Sequence, residues 1–252
     1  MTHSEPAVKQ ACAAGVVFAL DVEADAFAGL ARDAAAFESA GPTIREGTVA
    51  GRRVAWCVGG AGVDAATRAA RLIVAGHRPR LLVTAGFAGG LDPALVRGGL
   101  VHPRSVVDRD GGDEIAFAPP PGGASGGRAP AIVTVDEVVA TVAGKRRLAA
   151  ASGAGLVDME TRAVALVARE AGLPCLAIRV VSDDAAAELP REVAALVRPQ
   201  SGMRRLGAAL GAVGRRPAAA VDLWRLWEHA VVDGRTLAAG LERLVAGLSG
   251  PG

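Results

Sequence analysis

Three acidic residues stand where an apolar run gives way to a helix or ends: Glu23, Glu160 and Asp183. Glu160 and Asp183 share one stretch, Gly155 to Asp184, which reads GLVDMETRAVALVAREAGLPCLAIRVVSDD. Carboxylates at such points can bind a ligand and move a proton, because open α/β sheets take ligands at the carboxyl ends of their strands. Each also has an ordinary reading. Strand ends face solvent and are commonly polar, and a Glu in the first turn of a helix complements its dipole.

The elements that would position these acids are legible around them. Leu156 and Val157 are strand residues, and Asp158, Met159 and Glu160 follow at the strand's end. Ala163, Leu166, Val167 and Glu170 recur at helical spacing, which predicts a helix over Thr161 to Ala171 with one apolar face. Gly172 suits the position after a helix, and Pro174 cannot continue one. Cys175 to Val181 is a nearly continuous apolar run, as expected of a parallel strand covered on both faces. The predicted unit is βαβ, with Glu160 and Asp183 at the ends of its two parallel strands. Arg179, inside the second strand, is expected to pair with a buried acid.

The 252 residues suit one α/β domain. Aromatics are 3% and Tyr is absent, so the core must be aliphatic. A net charge of +2, from 28 basic and 26 acidic residues, gives no nucleic-acid footprint. Cys12, Cys57 and Cys175 are odd in number and scattered, which predicts buried thiols in a reducing compartment rather than disulfides or a zinc site. His3, His77, His102 and His229 have no metal-ligand spacing, and no metal or cofactor is expected. The apolar run GVVFAL is cut by Asp21 and Glu23, and no 18-residue apolar span occurs. A soluble, cytoplasmic protein is therefore expected.

Residues 1–13 read as a tail, 14–190 as the α/β domain and 191–252 as a C-terminal helical extension. Gly15 to Leu20 is the first strand. Phe27, Leu30, Ala34 and Phe37 share a helical face, so a helix is predicted across 21–37. Gly41 to Val58 reads as a hairpin turning at Gly51-Arg52. Gly60-Ala61-Gly62-Val63-Asp64-Ala65 fits a dinucleotide fingerprint, but no acid lies between Asp64 and Asp92 to hold a ribose. These glycines instead allow a tight turn or a close backbone approach. Gly98 to Val107 is strand-like. Asp108 to Arg128 is a Gly/Pro-rich loop that reads as a lid. Ala131 to Val139 is a strand, and Thr141 to Ala150 a helix. The tail is helical and basic, with Leu223, Trp224, Trp227 and Val231 near one face. Such a stripe packs on its own domain or across a dimer, or lies on a membrane surface.

The stretch VDMETRAVALVAREAGLPCLAIRVVSDD resembles the signature of the nucleoside phosphorylase and nucleosidase family, in which V-E/D-M-E precedes a helix and an apolar strand ending in S-D. LLVTAGFAGGLD, Leu81 to Asp92, resembles the same family's strand followed by T-G-S-A-G-G-L-D. The resemblance implies a single three-layer α/β/α domain around a mixed, partly barrel-like sheet. It also implies roles. Asp183, with Ser182 before it, would protonate or hydrogen-bond purine N7. Glu160 would accept from the ribose 2′ and 3′ hydroxyls, with Met159 against the sugar. Phe87, Ala88 and Gly89 would admit the ribose and the nucleophile, and Val138 and Val139 would line the base. Aligned on GVVFALDVE, Glu23 matches the Glu that activates water in the hydrolytic branch.

The departures bear on the nucleophile. Phosphorylases of the family tend to carry Arg at the place of Thr84 and Ser at that of Phe87, both as phosphate ligands. Without those donors, and with a carboxylate at Glu23, water is the expected nucleophile. The implied activity is hydrolysis of the N-glycosidic bond of a 5′-substituted adenine nucleoside. G-F-A-G-G-L-D, T-V-D-E-V-V-A-T with its following Lys, V-D-M-E and the basic tail resemble the hopanoid-biosynthesis branch, which releases adenine from adenosylhopane. Methylthioadenosine/adenosylhomocysteine nucleosidase activity is the next reading, then a phosphorylase, then a sensing module without chemistry. A homodimer is expected by analogy.

Overall fold

The computed structural model describes residues 11–38, 41–123, 129–189 and 218–249. Most of the tail over 1–13 and the basic segments between 191 and 217 lie outside the described residues. So do the side chains of Leu223, Trp224 and Trp227.

The described residues form eleven strands and five helices in three layers. In chain order the strands are β1 (Ala14–Phe18), β2 (Arg32–Phe37), β3 (Ile44–Val49), β4 (Arg52–Val58), β5 (Leu82–Gly90) and β6 (Leu100–Val101). They continue with β7 (Ser105–Val107), β8 (Glu114–Ala116), β9 (Ala131–Thr134), β10 (Leu156–Asp158) and β11 (Cys175–Asp183). The helices are α1 (Asp21–Ala28), α2 (Val63–His77), α3 (Val142–Ser152), α4 (Thr161–Glu170) and α5 (Ala218–Ala246). One mixed sheet runs β2-β3-β4-β1-β5-β10-β9-β7-β8, with β11 on β5 and β6 on β11. It does not close on itself.

Small apolar residues pack its two faces. Ala66, Ala69, Ala70 and Ile73 of α2 join Ala163, Val164, Val167 and Ala168 of α4 on one side. On the other, Ala24 and Phe27 of α1 meet Leu237, Ala238, Leu241 and Val245 of α5. The C-terminal helix is therefore part of the core. Each fully buried Leu or Val contributes about 1.5–3 kcal/mol. Gly234 lets α5 close on α1, since a Cβ there would fall 2.6 Å from the Val22 carbonyl oxygen.

β5 organises the site. Its first residues, Leu82 to Thr84, pair with β1, and its last two, Gly89 and Gly90, pair antiparallel with β10 on the edge that β1 has left. The other edge carries β11 in parallel, with a register shift between Val181 and Asp183. Between the two partners, β5 has a gap in its ladder at Phe87.

Several expectations are corrected. The helix predicted across 21–37 ends at Ala28, and Arg32–Phe37 is the edge strand β2, exposed along its whole length. Its alanines favour helix, but the open edge of β3 supplies backbone partners from Ile44 to Thr48, and tertiary pairing overrides propensity. β10 and β11 are not parallel neighbours, because they meet β5 in opposite senses. The hairpin turns at Ala50-Gly51, one residue early, with positive φ at both. Gly98 to Val107 is two short strands, and β9 stops at Thr134. Cys12 is buried rather than in a loose tail, and its N–H donates to the His77 carbonyl.

Candidate active site

A cavity of about 420 Å³ opens where β1, β5, β10 and β11 end. Glu23, Phe87, Ala88, Gly89, Val138, Val139, Met159, Glu160, Ser182 and Asp183 all line it. So do Leu20, Val22, Val135 and Leu189, which make much of the remaining wall apolar. None of the described residues of the loop over 108–128, which was expected to act as a lid, lines the cavity.

Glu23 is the third residue of α1 and performs the ordinary task first. Its Oε2 accepts from the N–H groups of Ala19 and Leu20 at 3.0 and 2.9 Å, as in a capping box. Its Oε1 crosses to β5 and accepts the Phe87 N–H at 2.9 Å, filling the ladder gap. Gly86 makes room for this, since a Cβ there would lie 2.6 Å from Oε1. Burial pushes the Glu23 carboxyl above its ordinary range. A buried carboxyl held only by backbone donors is suited to taking up a proton.

Glu160 precedes α4. Its Oε1 accepts the Gly62 N–H at 2.7 Å. Gly62 has φ +96, which a side chain would oppose, so the glycine loop serves to reach this acid. Burial first, then the neighbouring Asp158 and Glu23 charges, raise Glu160 to about 8. Asp183 ends β11. Ser182 donates its hydroxyl to Oδ1 at 2.6 Å, and Lys145 donates to Oδ2 at 2.5 Å.

Asp158 and Arg179 lie beneath these groups as a closed pair. The guanidinium sits 2.8 Å from Asp158 and also donates to Thr84, Thr161 and the Ile178 carbonyl. Asp158 in turn caps α4 through the Thr161 N–H and accepts from Thr134. Arg179 thus has its buried acid, as expected. Beside it, a second chamber of about 10 Å³, room for roughly one water, is bordered by Glu23, Glu160, Thr84, Phe87 and Arg179.

A different group forms at the far end of β3. Cys12, Glu46 and His77 bring ligand-type atoms within 4.8 Å of one another, although their spacing in the chain gave no sign of it. Glu46 already accepts from His77 at 2.5 Å and pairs with Arg53. Glu46 Oε2 also accepts from the Cys12 thiol, so Cys12 and His77 meet on one carboxylate oxygen and Arg53 holds the other.

Arg97 and Asp233 line the cavity and were not singled out in the sequence, and Lys145, noted there only as the Lys that follows T-V-D-E-V-V-A-T, sits behind Asp183. Arg97 joins the Ser182 carbonyl to Asp233 of α5 at 3.0 and 2.9 Å. Lys145 had one available signal: it falls on the same helical face as the buried Leu148 and Ser152.

The sequence signature of the phosphorylase superfamily matches residues 13–131 and 128–210. The chain belongs to the phosphorylase superfamily. Among solved structures, this superfamily member is similar to S-adenosylhomocysteine nucleosidase from Streptococcus pyogenes in complex with 5-methylthiotubericidin, with a TM-score of 0.72 and 17% identity over 96% of this chain and 99% of that one. It is also similar to 5′-methylthioadenosine/S-adenosylhomocysteine nucleosidase from S. pneumoniae, with a TM-score of 0.70 and 17% identity over 94% and 99%. Futalosine hydrolase of Helicobacter pylori gives 0.65 and 17% over 92% and 96%. None of the curated proteins compared matches it in sequence. No helix among the described residues is long and apolar enough to cross a membrane.

Proposed function

We propose that the protein is a nucleosidase that hydrolyses the N-glycosidic bond of a 5′-substituted adenine nucleoside and releases adenine. Water adds to C1′ as the bond to N9 breaks and its electron pair moves onto the base. Glu23 takes the proton from water, Asp183 protonates or hydrogen-bonds N7, and Glu160 accepts from the ribose hydroxyls. Met159 packs on the sugar, and Val138 and Val139 on the base.

The observation that carries this reading is the water-sized chamber beside Glu23. It favours water over phosphate because Arg179, the cation that borders it among the described residues, is already engaged by Asp158, Thr84, Thr161 and a carbonyl. Phe87 offers no side-chain donor, and a carboxylate at Glu23 repels an oxyanion.

For the 5′ substituent we favour a lipid, as in an adenosylhopane-type nucleoside. Leu20, Val22, Val135 and Leu189 give the cavity an apolar wall beyond the acids. Methylthioadenosine or adenosylhomocysteine is the second reading, favoured by the nucleosidases of similar fold. Burial of all three cysteines supports a reducing, cytoplasmic setting. Homodimerisation, and contact of α5 with a membrane surface, belong to the same reading.

Adenine release from methylthioadenosine and from a lipid-substituted adenosine, each with and without phosphate, tests the reading. Release from the lipid substrate without phosphate is expected. A requirement for phosphate would overturn the hydrolytic assignment, and release from methylthioadenosine alone would overturn the lipid.

A further inference from the structure

Lys145 is the fifth-largest fully buried side chain of the described residues, with 1% of its surface exposed. A buried ammonium is costly unless each N–H finds an acceptor. Lys145 has three donors and three acceptors within reach. Nζ donates to Asp183 Oδ2 at 2.5 Å, to the Asp184 carbonyl at 2.5 Å and to the Ala187 carbonyl at 3.1 Å. With Ser182 on Oδ1, both oxygens of Asp183 are held. Asp184, Ala187, Glu188 and Leu189 line the cavity, and the Leu189 N–H donates to the Ala140 carbonyl just before α3. One lysine therefore fixes both the terminal acid of β11 and the wall that follows it.

We propose that Lys145 is a positioning residue that acts through Asp183, setting the plane of its carboxylate and tying that setting to the seating of residues 184–187. The proposal rests on the reading of Asp183 as the group that faces the purine. Its ammonium also lies directly behind the carboxylate, where it stabilises negative charge as the base departs. Both effects belong to the transition state more than to the bound substrate, so they fall on kcat rather than KM.

The test uses the full chain with K145M, K145R, D183N and the two double variants, and reads adenine release alongside thermal melting. K145M is expected to lower kcat about a hundredfold, the cost of a misplaced catalytic group, with KM nearly unchanged. K145R, which keeps the charge with a different donor geometry, should recover part of that loss. In the D183N background neither substitution should lower the rate further. Full turnover in K145M, a loss carried by KM, or losses that add to that of D183N would each overturn the proposal. If K145M does not fold, K145R alone and with D183N gives the same comparison. If the wild type releases no adenine from any adenosine derivative, the hydrolase reading fails. A crystal structure of K145M then decides for Lys145: a turned Asp183 carboxylate with residues 184–187 displaced supports the proposal, and an unchanged carboxylate and wall overturn it.

Discussion

Glu46 and Glu23 are both nearly withdrawn from solvent, at 8% and 3% exposure, yet their surroundings are opposite. Burial pushes Glu46 up, but hydrogen bonds from His77 and Arg53 outweigh it and hold the carboxyl below its ordinary range. Glu23 has no side chain donating to it, only three backbone N–H groups, and burial prevails. The first carboxylate is spent inside the protein on charged partners. The second is held in place by backbone N–H groups and faces the cavity. A buried acid is thus informative through its partners rather than through its burial.

The contrast can be broken by exchanging the acids for amides. E23Q should lower kcat for adenine release by roughly 10²–10⁴-fold, the range for loss of a general base. It should also cost about 1–3 kcal/mol of stability, because its amide nitrogen must face backbone N–H groups that the carboxylate accepts. A loss of stability with kcat unchanged would place Glu23 with Glu46. G86A is the sharper variant, since it removes no functional group. Its Cβ would displace Oε1 of Glu23, and turnover should drop about a hundredfold at constant Glu content. E46Q should do the reverse, costing on the order of 1–3 kcal/mol in denaturant unfolding while kcat stays at the wild-type value. A drop in kcat at unchanged stability would show that the Cys12–Glu46–His77 group communicates with the cavity.

The effect that needs a pH series to see concerns Glu160, raised to about 8 from 4.5. The native state keeps this proton when the unfolded chain has lost it. The resulting stabilisation is full below pH 4.5 and fades as pH rises towards about 8. Melting temperatures across that window should therefore fall more steeply for the wild type than for E160Q. Parallel curves would mean that the Gly62 N–H and solvent already satisfy the ionised form.

The site was largely legible in the sequence because its acids follow apolar runs with clear punctuation. Gly172 and Pro174 fixed the end of α4, and the run from Cys175 fixed β11. Direction was not legible: nothing local in Leu156 to Asp158 tells that β10 meets β5 antiparallel, a consequence of β1 leaving that edge after Thr84. Nor was β2, whose residues Asp33 to Phe37 favour helix until the edge of β3 is present. Lys145 and the Cys12–Glu46–His77 group depend on residues 31 to 42 positions apart, and their meaning lies in packing that no short window contains.

α5 closes the face of β11 and supplies Asp233 to Arg97, a contact across 136 residues. At about 5–20 residues per second of synthesis, roughly seven to twenty-seven seconds separate the two partners on the ribosome. Leu176, Ile178 and Val180 are made in the later part of that interval and then wait without α5 to cover them. Until α5 docks, the cavity lacks the wall that His229, Ala230 and Asp233 supply, so a sheet that is already paired still has no enclosed pocket.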